Sequence, residues 1–226
     1  MTLLRSKTLG AAGLLHAFPE RGATDLDLAR ELGLPAGAAI VQVKQIHGGD
    51  AIDAVDVTTD AATDRGADAL VARASGGPVA VGIRVADCVP VLVADTRRRV
   101  VAAFHAGWRG TLARIVERGI GTIRLQFGSR PKDLIAAIGP GIGACCYEVG
   151  EEVARRFGLA RAGRLDLAAE NLRQLTGHGV PLSSISVAGV CTLCNPAQFY
   201  SFRRDREAAG RMISYIRLLP DTDELA

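Results

Sequence analysis

Three residues of the chain have the side-chain types of a catalytic zinc site: His47, Cys88 and His105. Imidazole nitrogen and thiolate sulfur both bind zinc, and three protein ligands leave a fourth position for water or substrate. A zinc ion held in this way acidifies its bound water towards neutral pH. The three residues are 41 and 17 positions apart, which matches no local metal motif. The sequence therefore predicts this site only if the fold brings the three side chains together.

The same residues also allow chemistry without a metal. Cys88 would then act as a thiolate nucleophile with His105 as its base, as in cysteine hydrolases. A third interpretation is purely structural, with Cys88 as a buried thiol and the histidines at strand ends. The residues alone leave these three alternatives open.

The strands that must position these residues can be recognised from their patterns. The segments Val89 to Ala94 and Val100 to Phe104 are apolar, and the polar segment Thr96 to Arg99 joins them, which predicts a β-hairpin. The segment Ile40 to Ile46 alternates apolar and polar residues, so it predicts a strand with one solvated face. His47 follows directly and would therefore lie at a strand end.

The register of the hairpin decides whether Cys88 meets His105. If Asp95 faces Val100 across the turn, then Cys88 faces Gly107, and His105 lies two positions away on the same face. Diagonal neighbours of this kind are about 7–8 Å apart. At that distance a thiolate and an imidazole can share one metal ion or one proton.

Hydrophobic periodicity predicts the remaining elements. Helices are predicted from Thr24 to Gly33, Thr111 to Arg124, Glu151 to Phe157 and Asp166 to Thr176. Strands are predicted from Ala51 to Val57, Asp68 to Val71, Val79 to Val85, Leu134 to Ile138, Ile185 to Val190 and Met212 to Leu219. Loops are predicted from Thr58 to Gly66 and from Gly76 to Pro78. Because strands and helices interleave without a linker or repeat, we expect one α/β or α+β domain.

The helix predicted to begin near Thr111 starts a few residues after His105. The first backbone N–H groups of a helix have no partner within it and carry partial positive charge, which suits an anion. Arg109, Gly110 and Thr111 are therefore candidate anion-binding residues.

The chain contains five cysteines: Cys88, Cys145, Cys146, Cys191 and Cys194. An odd number argues against a disulfide framework. Cys191 and Cys194 have the spacing of half a structural zinc site, which needs a second ligand pair. The adjacent Cys145 and Cys146 are poorly placed to supply that pair, so we expect buried or edge thiols here.

The composition is typical of a soluble enzyme. Of 226 residues, 48% are hydrophobic and 23% charged, and the net charge is only +3, so no basic surface for nucleic acid is indicated. No apolar segment approaches the roughly 20 residues of a membrane span, and the N-terminal residues lack the cleavage site of a secretory signal. We therefore expect a cytoplasmic monomer without a nucleic-acid or membrane partner.

Several sequence blocks together resemble one known family. They are VKQIHG (43–48), GADAL (66–70), ADCVP (86–90), FHAGWRG (104–110), IGPGI (138–142), CCYEV (145–149) and FYSFRR (199–204) with Gly210 and Arg211. They are similar to the blocks of laccase-domain or polyphenol oxidase proteins, now described as purine nucleoside phosphorylases, of the bacterial type also called peptidoglycan editing factor. One departure is Ala209, since threonine often precedes Gly-Arg in this family.

The resemblance implies an α/β fold, a single-domain α/β/β/α sandwich with mixed sheets over residues 1–226. It implies that His47, Cys88 and His105 are both zinc ligands and catalytic residues, with copper less favoured. It further implies phosphorolysis of adenosine, inosine and S-methyl-5'-thioadenosine, with some deamination of adenosine. Nucleoside and phosphate are then the expected small-molecule partners, and the phosphate would occupy the anion site at the helix start.

The older family label, laccase, can be tested by counting ligands. A four-copper oxidase binds its metals mostly through imidazoles, and four histidines cannot supply them, so we reject that activity. Two rivals remain. One is a Cys–His hydrolase or amidase that edits cytoplasmic peptidoglycan precursors, and the other is a non-catalytic partner of envelope or cell-division proteins.

Overall fold

The computed structural model of the chain describes residues 2–34, 40–48, 52–56, 63–73 and 80–218. Its α-helices are α1 (Lys7–Ala11), α2 (Asp25–Glu31), α3 (Trp108–Leu112), α4 (Ile115–Phe127), α5 (Glu151–Arg156), α6 (Leu167–Gly177) and α7 (Phe202–Asp205). Its strands are β1 (Leu3–Leu4), β2 (Leu15–Pro19), β3 (Val43–Lys44), β4 (Ile52–Asp56), β5 (Thr63–Gly66), β6 (Ala69–Arg73), β7 (Ala80–Val85), β8 (Val89–Asp95), β9 (Val100–Ala106), β10 (Ile135–Ile138), β11 (Glu148–Val149), β12 (Gly163–Arg164), β13 (Ile185–Val187) and β14 (Met212–Arg217). No helix within these ranges has the length and apolar character needed to cross a lipid bilayer.

A six-stranded sheet, in the order β13-β10-β8-β9-β6-β4, carries the candidate site. Its two edge pairs are parallel and its inner pairs antiparallel, so the sheet is mixed. Strands β8 and β9 are the predicted hairpin. Asp95 faces Val100 and Pro90 faces His105, which confirms the register predicted from the sequence.

A four-stranded antiparallel sheet, β1-β2-β14-β7, packs against one face of the larger sheet. Side chains from both sheets, such as Ile83, Leu92 and Ile216, form one apolar core between them. The hairpin strands are buried on both faces, which explains why their sequences are nearly continuous apolar runs.

Helices cover the outer faces of the two sheets. Ile120 of α4 and Leu175 of α6 pack with Phe104 of the larger sheet. Leu28 of α2 packs with Tyr215 on the outer face of the smaller sheet. The layers are therefore helix, sheet, sheet and helix, and the fold class implied by the resemblance is confirmed.

The helix predicted from Thr111 to Arg124 is wrong at its start and in its continuity. The first segment, α3, begins at Trp108, and Arg114 interrupts the path with a left-handed backbone (φ 61°) before α4 begins. The carbonyl of Thr111 accepts hydrogen bonds from the side chain of Gln174 and from the N–H of Arg114. Because Gln174 comes from α6, a tertiary contact stabilises the break.

Two other elements follow their predictions. Helix α2 begins after Thr24, whose hydroxyl accepts the N–H of Asp27, while the Asp27 carboxylate accepts the N–H of Thr24. This capping box satisfies two donors that a helix start leaves free. Strand β14, over Met212–Arg217, lies in the middle of the smaller sheet and within the strand predicted from Met212 to Leu219.

The predicted loops have different outcomes. The loop from Thr58 to Gly66 is wrong over Thr63–Gly66, because this segment pairs with β3 through backbone hydrogen bonds that need no apolar side chains. Residues 57–62 lie outside the described part of the chain. The turn predicted from Gly76 to Pro78 lies outside it as well.

Candidate functional site

His47, Cys88 and His105 meet at one end of the six-stranded sheet. One potential ligand atom of each lies within 4.8 Å of those of the other two. His105 is on β9, Cys88 directly precedes β8, and His47 follows β3. The two imidazole rings meet edge to face, with centroids 4.8 Å apart and an interplanar angle of 89°. The fold therefore brings together three side chains that are distant in sequence, at a spacing that one ion can bridge.

Asp68 orients both histidines from behind. Its buried carboxylate accepts the Nδ1 hydrogen of His105 at 2.9 Å, and it also accepts the backbone N–H groups of His47 and Gly48 at 2.9 and 2.7 Å. Burial opposes ionisation of Asp68, but the hydrogen bonds from His105 and Gly48 outweigh it and lower its pKa to about 2.

An ionised Asp68 can only accept, so Nδ1 of His105 carries a hydrogen, and Nε2 is the ring nitrogen left to bind either a proton or a metal ion. Carboxylate partners of this kind fix the tautomer of metal-binding histidines. Sequence reasoning assigned Asp68 only to a strand start. No local sequence signal indicates its contact with His105, because that contact depends on β6 lying beside β9.

Opposite effects set the charges of the two histidines. Burial lowers the pKa of His47 below its usual range, and the nearby His105 lowers it further. Burial also disfavours a charged His105, but the charge of Cys88 and the hydrogen bond to Asp68 outweigh burial and raise its pKa to about 9. The site therefore favours a positive charge next to Asp68 and Cys88, and either a proton on His105 or a metal cation can supply it.

Asp87 fixes the position of Cys88. Its buried carboxylate accepts hydrogen bonds from the hydroxyl of Thr192 at 2.7 Å, the hydroxyl of Ser201 at 3.0 Å and the backbone N–H of Arg203 at 2.6 Å. The backbone of Asp87 is left-handed, with φ of 77°, a conformation that costs energy unless surrounding contacts hold it. These three bonds supply such contacts, one residue from Cys88.

Two glycines allow the backbone to approach the Cys88 strand closely. A Cβ atom on Gly107 would lie 2.9 Å from Sγ of Cys88, as the predicted pairing of these two residues requires. A Cβ atom on Gly141 would lie 2.7 Å from the side chain of Val89 and 3.1 Å from the carbonyl oxygen of Asp87. Larger residues at either position would therefore displace the head of β8.

A cavity of about 910 Å³ lies over the three candidate ligands. Its volume is within the range of small-molecule sites, which is roughly 300–1,000 Å³. Its lining includes six basic residues: Lys44, Arg84, Arg109, Arg203, Arg206 and Arg211. It also includes three aromatic residues, Trp108, Tyr147 and Phe202. The cavity therefore offers positive charge for an anion and flat apolar surfaces for a ring.

Three of these arginines lie over aromatic rings, and the guanidinium of Arg211 is 5.7 Å from the ring centre of Phe202. The guanidinium of Arg109 lies 4.4 Å from the ring centre of Trp108, and that of Arg203 lies 5.3 Å from the ring centre of Tyr147. Cation–π contacts contribute about 0.5–2 kcal/mol each. Burial raises the pKa of Tyr147 to about 12, and the charge of Cys88 acts in the same direction, so the phenol keeps its proton.

The three predicted anion-binding residues do not all reach the cavity. Arg109 and Gly110 line it. Thr111 is buried away from it, because its N–H donates to the carbonyl of Gly107 and its hydroxyl accepts from the side-chain amide of Asn171. The helix also begins at Trp108 and not at Thr111.

The remaining cysteines lie differently from the prediction. Potential ligand atoms of Cys145, Cys146, Cys191 and Cys194 all lie within 4.8 Å of one another. The expectation that the adjacent pair is poorly placed to join the other pair is therefore wrong. The two turns that carry the pairs are neighbours, because Gly141 and Cys191 form a parallel β-bridge.

Comparison with known sequences gives a consistent set of relatives. A family model described as multi-copper polyphenol oxidoreductase laccase matches residues 23–219. A purine nucleoside phosphorylase of Deinococcus radiodurans is 44% identical over 161 residues, which cover 67% of this chain and 61% of that protein. The adenosine deaminase RL5 of an unknown prokaryotic organism is 33% identical over 211 residues, covering 84% of this chain and 79% of that protein. The match thus spans less than two thirds of the phosphorylase from D. radiodurans.

Solved structures agree with the sequence relatives. YlmD from Geobacillus stearothermophilus superposes with a TM-score of 0.80 at 29% identity, covering 96% of each chain. The hypothetical protein YfiH of Bacillus licheniformis superposes with a TM-score of 0.77 at 26% identity, covering 92% of this chain and 94% of that one.

Proposed function

The chain belongs to the multi-copper polyphenol oxidoreductase laccase family, and we propose that it is a zinc-dependent purine nucleoside phosphorylase. Its substrates in this proposal are adenosine, inosine and S-methyl-5'-thioadenosine, and it also deaminates adenosine. Relatives named purine nucleoside phosphorylase and adenosine deaminase support a nucleoside-processing activity. The observation that carries the proposal is the convergence of His47, Cys88 and His105 beneath a cavity with basic and aromatic walls.

The three candidate ligands fit zinc better than copper. Two imidazoles and one thiolate suit zinc with an open fourth position. The same set occurs in blue-copper sites, usually with a methionine as a weak axial ligand. Here the sulfur of Met212 accepts the N–H of Tyr200 and does not line the cavity. Bound zinc would polarise a substrate oxygen or acidify a water molecule.

The cavity walls have roles in substrate binding. In phosphorolysis a phosphate oxygen attacks C1' of the ribose and the purine leaves from that carbon. Arg109 and Arg203 would neutralise the phosphate, since both are already held over aromatic rings. Trp108 would stack against the purine, and the protonated phenol of Tyr147 would donate a hydrogen bond to the substrate. This phosphate site depends on arginine side chains and not on a helix dipole, because α3 has only five residues.

The first test separates phosphorolysis from deamination. Purified protein is incubated with adenosine, with and without phosphate, and the products are resolved by chromatography while zinc and copper are measured by elemental analysis. We expect adenine and hypoxanthine only when phosphate is present, because inosine formed by deamination is itself a substrate for phosphorolysis. Without phosphate we expect inosine alone, and we expect zinc as the bound metal. Cys88→Ala should bind no zinc at this site and should show neither phosphorolysis nor deamination. Full activity of a metal-free Cys88→Ala protein would contradict the proposal.

A second test addresses the phosphate site. Arg109→Ala removes one charge-assisted interaction of about 1.5–3 kcal/mol, which corresponds to about a 10- to 100-fold loss in kcat/KM for phosphate. Arg124, an exposed arginine on α4 outside the cavity lining, serves as the matched control. Arg124→Ala should leave phosphate kinetics unchanged. Equal phosphate kinetics of the two variants would show that Arg109 does not bind phosphate.

A metal-free alternative has one observation in its favour. The raised pKa of His105 beside Cys88 is also what a thiolate–imidazolium pair of a cysteine hydrolase would show. In that case the protein is an amidase that edits cytoplasmic peptidoglycan precursors. Iodoacetamide should then abolish amidase activity of the chelator-treated protein. Amidase activity that is absent, or insensitive to the reagent, rules this alternative out.

A further inference from the structure

Four cysteines outside the cavity meet where two turns lie side by side. One turn, residues 144–146, carries Cys145 and Cys146, and the other, residues 192–194, ends at Cys194 and follows Cys191. The N–H of Thr192 donates to the carbonyl of Gly141 at 3.0 Å and ties the turns together. Backbone bonds thus hold the two cysteine pairs together, independently of any bond between their sulfurs.

The distances between the sulfurs suit a single tetrahedral ion. Sγ of Cys194 lies 3.6 Å from Sγ of Cys145 and 3.3 Å from Sγ of Cys146. Zinc–sulfur bonds of about 2.3 Å in a tetrahedron place neighbouring sulfurs about 3.8 Å apart. A disulfide would use two sulfurs, whereas all four converge here within 4.8 Å.

The surroundings of Cys191 resemble those of a metal-bound thiolate. The backbone N–H of Gly143 donates to its Sγ at 3.2 Å, and hydrogen bonds to sulfur are typical of the partners that orient metal ligands. A Cβ atom on Gly143 would lie 3.2 Å from Sγ of Cys145 and 3.2 Å from Cβ of Cys191. Cys191 is buried, while Cys145 and Cys194 are exposed, so an ion can enter from solvent.

We propose that Cys145, Cys146, Cys191 and Cys194 form a second, structural metal site that binds one zinc ion through four thiolates. A four-cysteine tetrahedral site is closed to substrate and contributes to stability rather than to chemistry. This site is distinct from the His47, Cys88 and His105 set, and it does not depend on the proposed phosphorylase activity.

The position of the site indicates what it stabilises. Tyr147, which follows Cys146, lines the cavity. Thr192, which follows Cys191, donates to Asp87 beside Cys88. A metal ion joining the two turns would therefore hold one wall of the cavity against the residue that positions Cys88.

Variants that each remove one thiol from a different cluster test the proposal. Wild type, Cys88→Ser, Cys194→Ser and the double variant are stripped with chelator and reconstituted with zinc or with cobalt(II). We expect Cys88→Ser to keep one zinc and the double variant to keep none. The sulfur–cobalt absorption of Cys88→Ser should be about four times that of Cys194→Ser, because four thiolates bind cobalt in Cys88→Ser and only the thiolate of Cys88 binds it in Cys194→Ser. Loss of all sulfur–cobalt absorption in Cys88→Ser, or an unchanged spectrum in Cys194→Ser, would overturn the site.

A measurement on the wild-type protein covers the case in which a variant fails to fold. The thiols of the reduced, metal-free protein are counted with a colorimetric thiol reagent before and after zinc is added. We expect zinc to protect all five thiols of the wild-type protein, whereas a metal site limited to His47, Cys88 and His105 would protect only one. Recovery of a disulfide between Cys146 and Cys194 from air-exposed, zinc-treated protein would show instead that these thiols remain free to oxidise, and would overturn the proposal.

Discussion

Replacing Asp68 with asparagine tests how far the carboxylate behind the candidate zinc site controls it. Asp68 accepts from His105 and His47 through one oxygen and from Gly48 through the other. Asparagine has nearly the same shape but a single acceptor oxygen. If that oxygen keeps its bonds to the histidines, its amide hydrogens face the N–H of Gly48, donor against donor.

The size of the effect follows from these contacts. Losing one charge-assisted hydrogen bond in a buried place costs about 1.5–3 kcal/mol of folding free energy. Loss of the partner that orients a metal-binding histidine lowers metal affinity about 10- to 100-fold, or about 1.4–2.7 kcal/mol of binding free energy. We therefore expect Asp68→Asn to be less stable and to bind zinc at the His47, Cys88 and His105 set more weakly by these amounts.

A second buried carboxylate, that of Asp95, provides the matched control for Asp68→Asn. Asp95 accepts the backbone N–H groups of Arg97 and Arg98 at the hairpin turn, at the other end of β8. Asp95→Asn should lower stability in urea unfolding but leave zinc affinity, measured by chelator competition, at the wild-type value. Zinc affinities that are equal for wild type and both variants would refute the role assigned to Asp68.

Two further predictions concern the scaffold. Gly119→Ala should lower the free energy of unfolding in urea by about 1–3 kcal/mol, because the added Cβ would lie 2.4 Å from the ring of Phe104. Gly121→Ala on the same helix meets no atom within 4 Å and should raise the free energy of unfolding by up to about 1 kcal/mol. Equal effects of the two variants would refute this packing. Burial lowers the pKa of His16, whose Nε2 accepts the N–H of Ser6, below 6.5. The contribution of neutral His16 to folding stability is therefore complete above pH 6.5 and is lost as the pH falls towards the pKa of His16 in the folded state. Between pH 7.5 and 5.5 the wild type should lose up to about 1.4 kcal/mol more than His16→Gln, and identical losses would exclude His16 as the cause.

The hairpin was predictable because its signals are local. Two apolar runs with a polar turn at Thr96 to Arg99 leave few alternative pairings, and the register places Cys88 beside Gly107 as expected. The layers of the fold came from the family resemblance, since periodicity alone left α/β and α+β open. The helix start at Trp108 was missed because its first residues lack a polar cap, and Gly107 supplies no side-chain hydrogen bond.

The hydrogen-bond partners of the site residues were harder to predict, because they depend on tertiary contacts. Nothing in the sequence near Asp68 indicates that its carboxylate reaches His105, 37 residues away. The break after α3 likewise depends on Gln174, 63 residues from Thr111. Such bonds follow from which strands become neighbours, and periodicity does not give strand order.

Sheet topology explains why so many potential metal ligands gather in one region. Strand β8 begins where its antiparallel partners β9 and β10 end, and β13 runs parallel to β10, so it ends there too. Cys88 precedes β8 and His105 is near the end of β9, while the two cysteine turns follow β10 and β13. The hydrogen bond from Thr192 to Asp87 joins the two groups. Four strand ends thus place five thiols and the imidazole of His105 at one end of the six-stranded sheet, and His47 reaches the same end from the segment that follows β3.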